Sequence, residues 1–139
     1  MITTRAESNK RKASGKAFQD RHMKKILEAF SSVFPFLTSE DISSCPSCSH
    51  GEDIKLSDRF RSLYPVSTEC KHGATKYKEL YREYHQAVKQ TNLLARTDDI
   101  IPKLTVQGSN NEALVVVSES DWLSVMIDRA VLKNGGNNN

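Results

Sequence analysis

Cysteine is scarce in this chain, three among 139 residues, and an odd count excludes a self-contained disulfide framework. Long apolar runs are missing as well. No stretch approaches the roughly eighteen residues that a membrane-spanning helix requires, and the opening residues MITTRAESNKRKAS contain no apolar signal core. The chain is therefore expected to be soluble and intracellular, in the cytoplasm or nucleus, with no membrane partner. Aromatics make up only 7% of it and all hydrophobic residues 37%, enough for one modest core and too little for two. Nucleotide-binding G-x-G-x-x-G and Walker-type loops are absent, as are H-E-x-x-H and the H-x-E with P-C-x-x-C pattern of zinc deaminases. An enzyme is not expected.

What cysteine there is falls into two tight groups. Cys45-Pro46-Ser47-Cys48 is followed, after twenty-one residues, by Cys70-Lys71-His72. Three thiolates and one imidazole are the soft donors that a tetrahedral zinc ion takes, and C-x2-C is a common half of such sites. Cys45, Cys48, Cys70 and His72 are thus expected to hold one structural Zn2+. His50 is a rival fourth ligand, although bridging from Cys48 to His50 would strain the turn. The metal is expected to clip a loop with little core of its own and so to contribute directly to folding. A nucleophilic cysteine with His72 as base explains one thiol and leaves two without a role, so a structural site is preferred.

Charge is unevenly spread. Positions 1–26 hold eight Lys and Arg against two acids, and the remainder holds twelve against fifteen. Within that remainder, positions 71–96 form a second basic island, with Lys71, Lys76, Lys78, Arg82, Lys89 and Arg96 against Glu79 and Glu83. Two positive segments flanking an acidic one suggest a polyanion partner. The candidate nucleic-acid contacts are Lys10, Arg11 and Lys12 in the arm and Lys71, Lys76, Lys78, Arg82 and Lys89 in the island. No major-groove motif is present, so the contacts are expected to fall mostly on phosphates of RNA or DNA. Lys10-Arg11-Lys12 also matches a nuclear-import signal.

Periodicity supplies the framework. Residues 1–14 are expected to be a mobile basic arm, 15–133 a single zinc-stabilised domain and 134–139 a frayed tail. From Gly15 to Phe34, Met23, Ile26, Leu27, Phe30 and Val33 recur at helical spacing, and Pro35 closes that helix. Ser57 to Tyr64 reads as a short capped helix with Phe60, Leu63 and Tyr64 inward. Tyr77, Leu80, Tyr81, Tyr84, Ala87 and Val88 mark the inner face of a longer one. Leu104–Val106 and Leu114–Val117 read as a hairpin around a Gly-Ser-Asn-Asn loop. A last helix, capped by Ser118 or Ser120, runs from Asp121 to about Lys133 with Trp122, Val125, Met126, Ala130 and Val131 inward. The expected fold is α+β, mainly helical, with helices around a zinc-clipped loop and one small hairpin near the C-terminus.

Tyrosine and tryptophan are among the residues enriched at protein contacts. The tyrosine-bearing helix and the Trp122 to Val131 face are therefore an alternative route to function, as an adaptor or homodimerising module. In layout, a basic arm, a zinc loop and helices, the chain resembles small viral accessory proteins. That resemblance implies a regulatory role and assigns no residue.

Overall fold

The computed structural model describes residues 4–45, 51–73, 75–94 and 99–135. Among them are α1 (Arg5–Ser31), β1 (Ile42–Ser44), β2 (Ile54–Leu56), α2 (Asp58–Leu63), α3 (Lys78–Asn92), β3 (Leu104–Gln107), β4 (Ala113–Val116) and α4 (Glu119–Gly135). The fold is α+β, with two separate antiparallel hairpins, β1–β2 and β3–β4. The chain divides into two compact units, Met1–His72 with Met126–Asn139, and Gly73–Val125. No helix among the described residues is long and apolar enough to cross a membrane.

Helix α1 begins ten residues before the apolar periodicity does. The Thr4 hydroxyl accepts from the Glu7 N–H, and the Glu7 carboxylate accepts from the Thr4 N–H at 3.0 Å. This reciprocal box satisfies two donors that a helix start would otherwise leave to water, and the Thr4 amide holds the Glu7 carboxyl below its usual range. Residues 5–14, expected as a mobile arm, are helical, and Lys10, Arg11 and Lys12 sit within α1 as exposed residues. The inner face of α1 is Gln19, Ile26 and Phe30, spaced as one stripe on a 3.6-residue helix. Val33 lies past the last helical turn and is 43% exposed, contrary to its expected inward position.

The core of the first unit is aromatic. Phe30, fully buried, has ring centroids of Phe34, Phe60 and Tyr64 at 6.4, 5.4 and 5.1 Å, inside the range where tilted rings attract. Ile54, Phe60, Leu63 and Tyr64 are all buried. The stretch between the two cysteine groups, expected to have little core of its own, therefore shares the core of α1, with Phe60 and Tyr64 set against Phe30. It contains one strand, β2, and the short helix α2, whose N-cap Ser57 accepts from the Phe60 N–H.

The β1–β2 hairpin is an element that the sequence pattern does not predict. Its register pairs Ile42 with Leu56, Ser43 with Lys55 and Ser44 with Ile54. Strands of three residues give too little alternation to stand out in a sequence. The turn before β1 is fastened by Asp41, which is 5% exposed. Its carboxylate accepts from the Thr38 N–H, the Ser57 hydroxyl and the Nε and Nη2 groups of Arg59, at 2.7–2.8 Å. Arg59 in turn lies 5.4 Å above the Phe36 ring.

In the second unit, α3 buries no residue completely and packs beside β3. Tyr81, expected inward, is 62% exposed. The hairpin pairs Leu104 with Val116 and Val106 with Leu114, close to the strands expected from sequence. Helix α4 starts where Ser118 accepts from the Asp121 N–H. Its buried residues are Leu123, Met126 and Ala130, while Trp122, Val125 and Val131 remain 39–45% exposed. Met126 and Ala130 thus face inward as expected, while Leu123 takes the place expected of Trp122, Val125 and Val131. The helix also extends to Gly135, so two residues of the expected tail are helical.

Arg59 above all, with the Thr38 amide and the Ser57 hydroxyl, holds the Asp41 carboxyl well below the usual carboxylate range. A depressed folded-state pKa stabilises the fold above the unfolded value of about 4 and ceases to do so as pH falls towards the folded value. Thermal melts of Asp41→Asn against the parent protein are expected to show the variant less stable at neutral pH. That gap should close progressively below about pH 4. A gap of constant size down to the acid limit would show that the charge of Asp41 does not matter.

Candidate functional site

The first candidate site is built at the end of the β1–β2 hairpin where the strands are connected, beyond the Ser44–Ile54 pair. One step beyond the strands, the Cys45 N–H donates to the Asp53 carbonyl at 2.9 Å, so the ladder runs on to the first cysteine. Gly51, in the connection between the strands, has φ +107°, a conformation that a residue with a Cβ rarely adopts. Cys45 itself is buried. Cys48 and His50 lie outside the described residues.

Asp53 also reaches the second cysteine. Its carboxylate accepts from the Cys70 N–H at 2.5 Å, and its own N–H donates to the Thr68 carbonyl at 3.0 Å. Arg61 anchors the same returning segment, donating to the Val66 carbonyl at 2.7 Å and to both Glu52 oxygens. The backbones of Cys45 and Cys70 are therefore hydrogen-bonded to one residue. His72 lies with its ring centroid 5.6 Å from that of Phe18 on α1. Phe18 also stacks with His22, at 6.3 Å.

Gln19, the neighbour of Phe18, completes the assembly. Its side-chain nitrogen lies 2.8–2.9 Å from the Ser44 hydroxyl, the Cys45 carbonyl and the Asp53 carbonyl. Sequence reasoning missed both Gln19 and Asp53. Polar residues on an apolar helix face and after a turn carry no motif, and the only cue is that a glutamine one turn before Met23 belongs on the inner stripe.

Of the expected zinc ligands, then, Cys45 and Cys70 are drawn to Asp53, and His72 rests on the helix that holds Cys45. Among the described residues no three His, Cys, Asp or Glu side chains converge on a point where a metal ion could sit. The donor chemistry fits zinc, being thiols and imidazole, with Cys45 and Cys70 both free of disulfides.

The second candidate site is the outer face of α3. Lys78, Tyr81, Arg82, His85, Gln86 and Lys89 line one open hollow. At about 100° per residue these positions form a single stripe, and Glu79 and Glu83 fall beyond its edge. Arg82 is ion-paired with Glu79. Lys71 pairs with Glu69 at 3.1 Å, both exposed, and the Lys76 ammonium sits 5.7 Å above the Tyr77 ring. Gly73 admits this approach, since a Cβ there would meet that of Lys76 at 2.9 Å. Lys71 belongs to the other unit, as do Lys10, Arg11 and Lys12 on α1. Exposed pairs of this kind are worth at most about 1 kcal/mol each, so a phosphate can displace them.

Beside the stripe lies a cleft of about 360 Å3, walled by Tyr77, Leu80 and Tyr84 of α3 and by Val116 and Val117. Ser118 and Glu119 stand at its edge, and Tyr81 and His85 border both the cleft and the basic hollow.

Comparison with protein-family models, with curated proteins and with solved structures finds no match to this chain.

Replacing Gln19 by Leu keeps the apolar contact of the stem and removes the donors. It is expected to destabilise the protein by about 1–3 kcal/mol, the cost of leaving a buried carbonyl unpaired. Chemical denaturation of the two proteins measures this difference, and a loss under about 0.5 kcal/mol, the usual effect of an unimportant surface change, would remove Gln19 from its place at the junction.

Proposed function

We propose that this chain binds nucleic acid through phosphate contacts from α3, with a structural zinc ion on Cys45, Cys48, Cys70 and His72. The observation that carries the nucleic-acid reading is that Lys78, Arg82 and Lys89 line one exposed hollow together with an exposed tyrosine. Cations in a row track a phosphate backbone, and aromatic side chains among them give bases a surface to stack on. Lys10, Arg11 and Lys12, exposed on α1, and Lys71 and Lys76 are further cations available to a long strand. The zinc reading is supported by ligand type, by spacing and by the hydrogen bonds that bring the Cys45 and Cys70 backbones to Asp53. The ion's role here is to fix a connection. A structural site of three sulfurs and one nitrogen has no open position for substrate. The implied role is regulatory.

Two measurements test this reading. Metal analysis of the purified protein is expected to find one zinc per chain, lost in Cys70→Ser. Chelation should lower the melting temperature without abolishing the fold, because Phe30, Phe60 and Tyr64 form a core around which the connection is laid. Protein that takes up no zinc and melts identically with and without chelator would end the metal reading.

Binding to a single-stranded oligonucleotide, followed by fluorescence anisotropy over a salt series, is expected to weaken with a log–log slope of about −2 or steeper, as three released counterions require. Lys78→Glu with Arg82→Glu should reduce that slope by about 0.7 per cation removed. Affinity that ignores salt, together with concentration-dependent self-association, would favour the adaptor alternative.

A further inference from the structure

We propose that the cleft beside α3 receives one unstacked base, so that the strand held by the basic face is single-stranded; this rests on the phosphate reading of that face. The two hollows of the second unit share one wall, made by Tyr81 and His85, whose ring centroids are 6.2 Å apart. The helix itself dictates this division. At about 100° per residue, Tyr77, Leu80 and Tyr84 fall on one side of α3, Lys78, Arg82 and Lys89 on another, and positions 81 and 85 between them.

A nucleotide has the same division, with an anionic phosphate on one side of the sugar and a flat base, apolar on its faces and polar at its edge, on the other. The polarity of the site admits only one orientation. Glu119 at the cleft edge repels phosphate and can accept a hydrogen bond from an exocyclic amino group, while the three cations attract phosphate to the opposite side of the Tyr81–His85 wall. Bases in a duplex are paired and stacked, and they reach a cleft of this kind only after being turned out of the stack. Single strands present them freely. Tyrosine faces accept any base, since every base has a π surface, so the cleft confers strandedness preference and little sequence preference.

A cationic ligand is the competing occupant, because tyrosines and a carboxylate can also cage an ammonium group. Lys78, Arg82 and Lys89 next to the cleft repel it, and Lys76 already occupies the face of Tyr77. Charge therefore favours the base.

The test compares three labelled probes of about twelve nucleotides, within the span of common single-strand sites: an oligo-uridine strand, an abasic strand with the same phosphates, and a duplex. Anisotropy with the full chain is expected to show the uridine strand binding about tenfold tighter than the abasic strand, and tighter than the duplex. In Tyr81→Ala, a change at an exposed position, the ratio between uridine and abasic strands should fall towards one. Lys89→Glu should weaken both strands by a common factor and leave their ratio intact. Should the Tyr81 variant fail to fold, judged by circular dichroism, His85→Ala serves in its place. Equal affinity for uridine and abasic strands, with salt-sensitive binding of both, overturns the base cleft and leaves the phosphate reading standing. Duplex binding as tight as the uridine strand also overturns it. Retention of a trimethyl-lysine peptide, with indifference to bases, assigns the cleft to a cation. No binding of any strand overturns the phosphate reading itself.

Discussion

The first unit depends on one buried amide. Gln19 projects from the inner stripe of α1 and meets backbone carbonyls of both hairpin strands' ends, at Cys45 and Asp53. A carbonyl taken out of water must find a donor or lose about 1–3 kcal/mol. Here one side chain supplies two such carbonyls and the Ser44 hydroxyl as well, although it has only two N–H groups, so one of the three contacts is shared. The direction of the hairpin against α1, and with it the position of Cys45, follows from that arrangement. Asp53 extends it to Cys70. Two residues without any motif character thereby bring together the residues that have it.

Much of the framework was legible from residue pattern. The helices α2 and α4 and the β3–β4 hairpin lie within about two residues of their expected bounds, because turn residues, caps and apolar periodicity agree there. Three features were not legible, each for a physical reason. The start of α1 is set by a Thr4–Glu7 box among residues with no apolar stripe, so periodicity has nothing to register. The β1–β2 strands are stabilised by Gln19 and Asp41, which are distant in sequence from their targets. The first turns of α4 are the third, because Trp122 and Val125, apolar by type, are partly exposed while Leu123 faces in beside the expected Met126 and Ala130.

The candidate sites were legible to different degrees. Residue types and spacing were enough to nominate Cys45, Cys70 and His72, yet not the residues that hold them. The basic stripe of α3 was visible as a charge count, whereas its arrangement as one face beside a tyrosine-lined cleft depends on helical phase and on residues 116–119, which line that cleft with α3. Helical phase turns a mixed segment of lysine, tyrosine and glutamate into distinct strips. The acids Glu79 and Glu83 are set to one edge, where Glu79 pairs with Arg82 without interrupting the row of cations.

The early start of α1 changes what Lys10, Arg11 and Lys12 are. In a flexible arm they would form a point of concentrated charge. On a helix, consecutive residues step about 100° around the axis, so these three form a collar covering more than half the circumference. An anionic surface approaching the rod from most directions meets a cation at the same height along it. Such a collar is indifferent to rotation about its own axis, and a flat anionic face can engage only part of it at once, whereas a flexible strand can wrap it.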